Sequence, residues 1–136
     1  MKRLLMLTLT ALLMLTACAS GETSPAATDA PAVDESVRAV ERYLTAKVAR
    51  DEATVRALLC SEMESALTRE VAAFATVTDA KIENMACTRN EGADTVTCTG
   101  EITASYGVDA APTKFELSTY RVVQEDGEWK WCGEGE

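Results

Sequence analysis

Residues 1–17 constrain everything that follows them. Lys2 and Arg3 are followed by an apolar run over residues 4–15, broken only by Thr8 and Thr10, and then by small residues, which are the three parts of an export signal. The run is too short to serve as a permanent membrane-spanning helix. A chain marked in this way is expected to fold in an oxidising compartment, where cysteines pair. Once the leader and the Ala-, Thr- and Pro-containing stretch behind it are set aside, about 100 residues remain, enough for one modest core.

The leader ends in Leu15-Thr16-Ala17-Cys18: a branched apolar residue, two small residues and a cysteine. This box resembles the lipobox of bacterial lipoproteins. The resemblance implies that residues 1–17 are removed, that the Cys18 thiol receives a diacylglyceryl group, and that Cys18 becomes the new N-terminus. Two or three acyl chains, at roughly 0.8 kcal/mol per buried methylene, make such an anchor effectively permanent. Ala19 rather than Asp follows the cysteine, so the familiar inner-membrane retention signal is absent. The implied place is the cell envelope, on the outer face of the cytoplasmic membrane or on an outer membrane. With Cys18 lipidated, the rest of the segment 18–33 lacks helical or alternating periodicity and reads as a disordered tether, on the order of 20 Å long.

Charge excludes some functions. The chain has 13 basic and 22 acidic side chains, and removing Lys2 and Arg3 with the leader leaves 11 against 22, a net charge of −11. Nucleic acid is therefore not an expected partner, because a phosphate backbone needs a basic face. The acidity reads as a solvated surface that stays off anionic headgroups. No histidine is present, which removes the commonest zinc ligand and the usual general base near neutral pH. No Gly-rich phosphate loop, nucleophile elbow or EF-hand spacing occurs. No cofactor, metal site or catalytic residue is expected on these grounds.

Residues 34–136 read as one domain. Asp34 is a helix cap before Val37, Val40, Leu44 and Val48, which recur on one face with Arg38, Glu41, Arg42 and Lys47 largely elsewhere. Asp51 starts a second helix whose apolar stripe, Val55, Leu58, Leu59 and Met63, runs through Cys60. A third helix is expected over residues 62–74, with Leu67 and Val71. From Ala80 the pattern changes to strands. Val96, Cys98, Gly100, Ile102, Ala104 and Tyr106 alternate with threonines and other polar residues, the clearest strand in the chain. Turns are expected at residues 90–94 and 109–112. Asp126-Gly127 marks a hairpin between strands over residues 113–124 and 128–132. Helices first, then an antiparallel meander of about four strands, is an α+β order.

Four cysteines remain beyond Cys18, an even number that makes disulfides the default, with three possible pairings. A zinc site is the alternative, but spacings of 26, 10 and 33 intervening residues contain no C-x-x-C knuckle.

The helix-then-sheet order resembles the nuclear transport factor 2-like fold, a cone of helices on a curved sheet shared by ketosteroid isomerase and the SnoaL-like cyclases. The residues that carry the resemblance are Arg50-Asp51-Glu52 between two helices and the closing run from Val122 through Trp129-Lys130-Trp131-Cys132. Small actinobacterial lipoproteins of this kind pair a Leu-Leu-Cys helix with a terminal Trp-x-x-Cys strand, as Leu58-Leu59-Cys60 and Trp129-Lys130-Trp131-Cys132 do here. The resemblance implies a Cys60–Cys132 disulfide, which leaves Cys87 with Cys98 across the first hairpin. That second pairing conflicts with the hydrophobic pattern. It brings Lys81, Glu83 and Met85 to the face of Val96 and Ile102, where Ile82 and Ala86 would be expected, and a bulge is needed to reconcile them.

The resemblance also implies a pocket between helices and sheet. Tyr43, Tyr106, Tyr120 and Arg121 are the polar residues able to face it, although burial at a core edge explains each tyrosine equally well. Trp129 and Trp131 share one face of the last strand, where they close a core or mark a contact surface. The expected role is non-catalytic binding of a small apolar ligand or an envelope protein partner, with Tyr106, Tyr120, Trp129 and Trp131 as the contact residues. The alternative is a small isomerase or hydrolase using carboxylate and tyrosine chemistry, which predicts a buried Asp or Glu with a raised pKa.

Overall fold

The computed structural model describes residues 34–107 and 109–136. The export signal, Cys18 and the tether lie outside the described residues. Helix α1 (Glu35–Ala49) begins where the Asp34 carboxylate accepts the Ser36 N–H at 2.8 Å and ends at Arg50, whose φ of 59° is left-handed. Its buried face, Val37, Val40, Tyr43 and Leu44, is the apolar stripe of the sequence with Tyr43 added and Val48 only half-buried at its end. Helix α2 (Glu52–Leu58) is capped by the Asp51 carboxylate on the Thr54 N–H at 3.1 Å.

The stripe expected to continue from α2 to Met63 does not. The chain leaves the helix at Leu59, which lies parallel to Trp131, and the Cys60 N–H donates to the Trp131 carbonyl at 3.0 Å. Ties to the last strand override the local helical pattern here, through that backbone bond and the Cys60–Cys132 disulfide. The expected third helix is likewise divided into a 3-10 segment (Ser61–Ala66) and the short α3 (Leu67–Ala72), while Phe74 lies beyond it in a turn, buried.

The antiparallel sheet comprises β1 (Thr78–Arg89), β2 (Thr95–Ser105), β3 (Thr113–Glu116), β4 (Thr119–Glu125) and β5 (Glu128–Glu134). Its order is β1-β2-β4-β5, with β3 also on β2. The strand expected over residues 113–124 is thus broken. At the break, Leu117 N–H bonds Gly100 O and Ser118 O accepts from Cys98 N–H, each at 2.9 Å. Ladder contact is kept across the break, and the buried Leu117 turns into the core.

A bulge resolves the register conflict for Ile82 but not for Ala86, which is exposed opposite Thr99 while Met85 packs on the core. Cys87 faces Cys98 and Arg89 faces Val96, yet Ile82 faces Ile102, because the register shifts between Glu83 and Ala86. Asn84 takes a left-handed φ of 55° there, which inserts one residue and returns Ile82 to the inner face. Gly100 is what permits it. A Cβ at that position would stand 2.6 Å from the carbonyl oxygens of both Glu83 and Asn84, and its φ is +110°. At the far end, Asp126 (φ 52°) and Gly127 (φ 82°) form the tight β4–β5 turn.

Both disulfides, Cys60–Cys132 and Cys87–Cys98, are formed in the pairs that the resemblance implies. The first joins the end of α2 to β5, and the second crosses the β1–β2 hairpin. The core between α1 and the sheet centres on Val40, Tyr43, Val55, Val96 and Val122, all fully buried.

Candidate ligand pocket

Between α1 and the inner face of the sheet lies a cavity of about 290 Å³. Tyr43, Leu44 and Trp131 line it from the core, and Ile102, Leu117 and Tyr120 from the sheet. Phe74, Tyr106 and Phe115 add aromatic surface, and Lys47 reaches it from α1. Tyr106 and Phe115 are 48% and 39% exposed, so they stand at the mouth beside the exposed carboxylates of Glu116 and Glu134. Phe115 meets both the buried Phe74 and Tyr106 edge to face, at 6.5 Å and 6.4 Å between ring centroids.

The inner end is held by a ring stack and a buried ion pair. Tyr43 and Trp131 stack nearly parallel, with centroids 4.1 Å apart. The Tyr43 hydroxyl donates to Glu70 Oε2 at 2.7 Å, and Lys47 Nζ donates to the same oxygen at 2.7 Å. Arg69 donates Nε and Nη2 to the other oxygen at 3.2 and 3.1 Å. Glu70 is only 6% exposed. Burial by itself would raise its pKa, but the hydrogen bonds from Lys47 and Tyr43, the Lys47 charge and the Arg69 hydrogen bond outweigh it, and the net shift is downward. Burial, followed by the Glu70 contact, raises Tyr43. Burial also raises Tyr120, against the bond its oxygen accepts from Ser118 N–H at 3.3 Å.

The buried carboxylate that the catalytic alternative needs is therefore present, but its pKa shift is opposite to the one that alternative predicts. Glu70 is an ion-paired strut, charged at neutral pH, with no proton to give. Tyr43 has committed its hydroxyl proton to that strut.

The residues anticipated for a site divide. Tyr43, Tyr106, Tyr120 and Trp131 come together around the cavity. Arg121 does not: its Nη2 bonds Glu62, and its Nε donates to the Cys132 carbonyl at 3.2 Å. Trp129 stands apart as well, under the Arg89 guanidinium at 4.3 Å and in a separate groove with Arg38 and Arg42 of α1. Lys47, placed by its spacing on the solvated face of α1, instead bends to Glu70. Glu70 itself escaped notice, although Leu67, Glu70 and Val71 share a helical face, and a carboxylate in an apolar stripe is the signal of a paired buried charge. Phe74 continues that face one turn on, whereas Phe115 carries no such signal.

Among the described residues, the only cluster with metal-ligand geometry is Cys60, Glu62 and Cys132. Both cysteines are disulfide-bonded and Glu62 pairs with Arg121, so this set offers no thiolate to a metal.

No protein-family model matches the chain, and no curated protein matches it in sequence. Solved structures are similar to it, two of them as follows. One is an NTF2-like protein of unknown function in nutrient uptake from Rhodospirillum rubrum, at 16% identity and a TM-score of 0.47, covering 74% of this chain and 96% of that one. The other is an NTF2-like protein from Cytophaga hutchinsonii, at 16% identity and a TM-score of 0.43, covering 71% and 90%.

Proposed function

We propose that this chain is an envelope lipoprotein, anchored through Cys18, whose domain binds a small apolar ligand without transforming it. The observation that carries the reading is the cavity of about 290 Å³ on α1 and the sheet, walled by Leu44, Ile102, Leu117 and Trp131 together with the polar Lys47, Glu116 and Glu134. Ligand sites are concave and mostly apolar, with a few placed polar groups. Acid–base catalysis asks for a group that gains and loses a proton near working pH. The lowered Glu70 and the raised Tyr43 move away from that range in opposite directions. An envelope protein partner is the second occupant considered, and the exposed Tyr106 and Phe115 are the apolar residues it would meet first.

Residues 19–136 should take up the neutral apolar dye N-phenyl-1-naphthylamine saturably, one molecule per chain. Ile102→Trp, which fills the cavity from β2, should abolish uptake while leaving the fold intact by circular dichroism. Unsaturable uptake, or uptake undiminished in the filled variant, would show that the cavity is not the site. Turnover of enol, epoxide or ester substrates, lost in Tyr106→Phe/Tyr120→Phe at unchanged stability, would establish the catalytic reading instead.

A further inference from the structure

Two large apolar side chains are exposed among the described residues, Tyr106 and Phe115, and both stand at the mouth of the same cavity. Apolar surface gathered at the rim of a concavity marks a place of contact. Beside these two rings, Glu116 and Glu134 line the same cavity with exposed carboxylates.

Charge at that rim is one-sided. Every lysine and arginine of β3, β4 and β5 is paired to another carboxylate: Lys114 to Glu101, Arg121 to Glu62 and Lys130 to Glu128. Lys47, the one cation among the lining residues, is held by Glu70 at 2.7 Å. Among the described residues, neither Glu116 nor Glu134 has an ion-pair partner. Unpaired carboxylates are common in a chain with 22 acidic and 13 basic side chains. These two differ in sharing a cavity mouth with two exposed rings.

The rings lack a cation as the carboxylates do. At Tyr43 and Trp129 the protein sets its own charge over the ring, Lys47 Nζ at 5.9 Å and the Arg89 guanidinium at 4.3 Å from the centroid. Among the described residues no cation stands over Tyr106 or Phe115. A ring face attracts a cation through its quadrupole, quaternary ammonium groups included, and a carboxylate attracts it by charge. The mouth therefore complements an organic cation, and an anion entering there meets like charge.

We infer that the ligand is an alkylated ammonium on an apolar body. The body enters the cavity along Leu44, Ile102 and Leu117, and the positive charge stays at the mouth among Tyr106, Phe115, Glu116 and Glu134. The inference rests on the ligand-pocket reading above and adds one positive charge to the apolar ligand.

The test uses residues 19–136, which contain the whole core, and matched probes competing with the apolar dye. Trimethyl(2-naphthylmethyl)ammonium carries the charge, 2-neopentylnaphthalene has the same shape with carbon in place of nitrogen, and 2-naphthylacetate is an anion. The ammonium should bind about five- to tenfold more tightly than its neutral isostere at low salt, and the acetate should bind most weakly. Glu116→Gln/Glu134→Gln and Tyr106→Leu/Phe115→Leu should each cut that ratio by about threefold. Glu35→Gln/Glu128→Gln, which removes the same charge beside the separate Trp129 groove, should leave the ratio in place.

A second measurement uses the unaltered side chains. In nuclear magnetic resonance, the N-methyl protons of the bound ammonium should show Overhauser contacts to the Tyr106 and Phe115 rings. Ammonium binding no tighter than the isostere, a ratio that survives loss of the mouth carboxylates or of the rings, an equal fall in the Glu35/Glu128 variant, or N-methyl contacts only elsewhere would each overturn the assignment while the pocket stands. Failure of every probe to displace the dye would remove the pocket reading itself.

Discussion

The two disulfides close loops of very different length, and their contributions should differ accordingly. Cys60–Cys132 joins residues 72 apart and Cys87–Cys98 residues 11 apart. In the chain-entropy relation, closing the unfolded chain over these spans stabilises by about 4.4 and about 2.8 kcal/mol respectively. The long bridge should therefore exceed the hairpin bridge by about 1.6 kcal/mol. Packing acts in the same direction. Cys60 and Cys132 are both fully buried, whereas Cys87 is only half-buried, so alanine leaves the larger void at the long bridge. Set against a typical small-domain stability of roughly 5–15 kcal/mol, removal of the long bridge leaves the fold marginal. Urea titration of Cys60→Ala/Cys132→Ala and Cys87→Ala/Cys98→Ala, followed by tryptophan fluorescence, measures both losses, since Trp131 leaves its stack on Tyr43 when the core opens. A hairpin variant destabilised as much as the long-loop variant, at equal urea dependence, would refute the loop-entropy account for this domain.

Cys18→Ser should leave the precursor unprocessed and free of acyl label; normal cleavage with retention in the detergent phase would count against the lipobox. Glu70 has a folded pKa below its ordinary 4.5, so its contribution is present above that value and is lost as pH falls through the folded pKa. Glu70→Gln should therefore cost stability at neutral pH, about 1–3 kcal/mol for loss of charge-assisted bonds in a buried site, and the gap from the parent should shrink under acid urea titration below about pH 4.5. A pH-independent gap would mean that the carboxylate charge is not what matters. Gly100→Ala places a methyl against two backbone carbonyls at positive φ and should lower stability by at least about 2 kcal/mol. Unchanged thermal unfolding of that variant would show that the β1 bulge relaxes freely.

Part of this site was legible because its causes are local. Tyr120 occupies a strand position, Tyr106 continues the alternation of β2 just past its end, and Trp129 and Trp131 alternate on one face, so sequence periodicity brought each forward. Periodicity does not say which residue on a shared face reaches the cavity. Trp131 does and Trp129 does not, because α1 lays Tyr43 over the first and the Arg38–Arg42 groove over the second. Arg121 faces away for a related reason: in β4 it lies between Tyr120 and Val122, whose side chains enter the core.

What the sequence determined by itself follows from short-range chemistry. Asp34 and Asp51 cap helices because a carboxylate two or three residues before an N–H can reach it, and Asp126-Gly127 turns because those residues tolerate positive φ. The α+β order follows from the switch between helical and alternating apolar spacing. Tertiary structure alone decided where those patterns stop. Helix α2 ends at Leu59 because Cys60 is tied to Cys132 and its N–H to the Trp131 carbonyl, 71 residues further along the chain. The bulge opposite Gly100 reconciles a disulfide with a hydrophobic face, a compromise between two strands that neither strand encodes separately. The lowered Glu70 belongs to the same class, since its partners Tyr43 and Lys47 lie 27 and 23 residues away. Its charge state is set by burial and pairing, which exist only after the chain has folded.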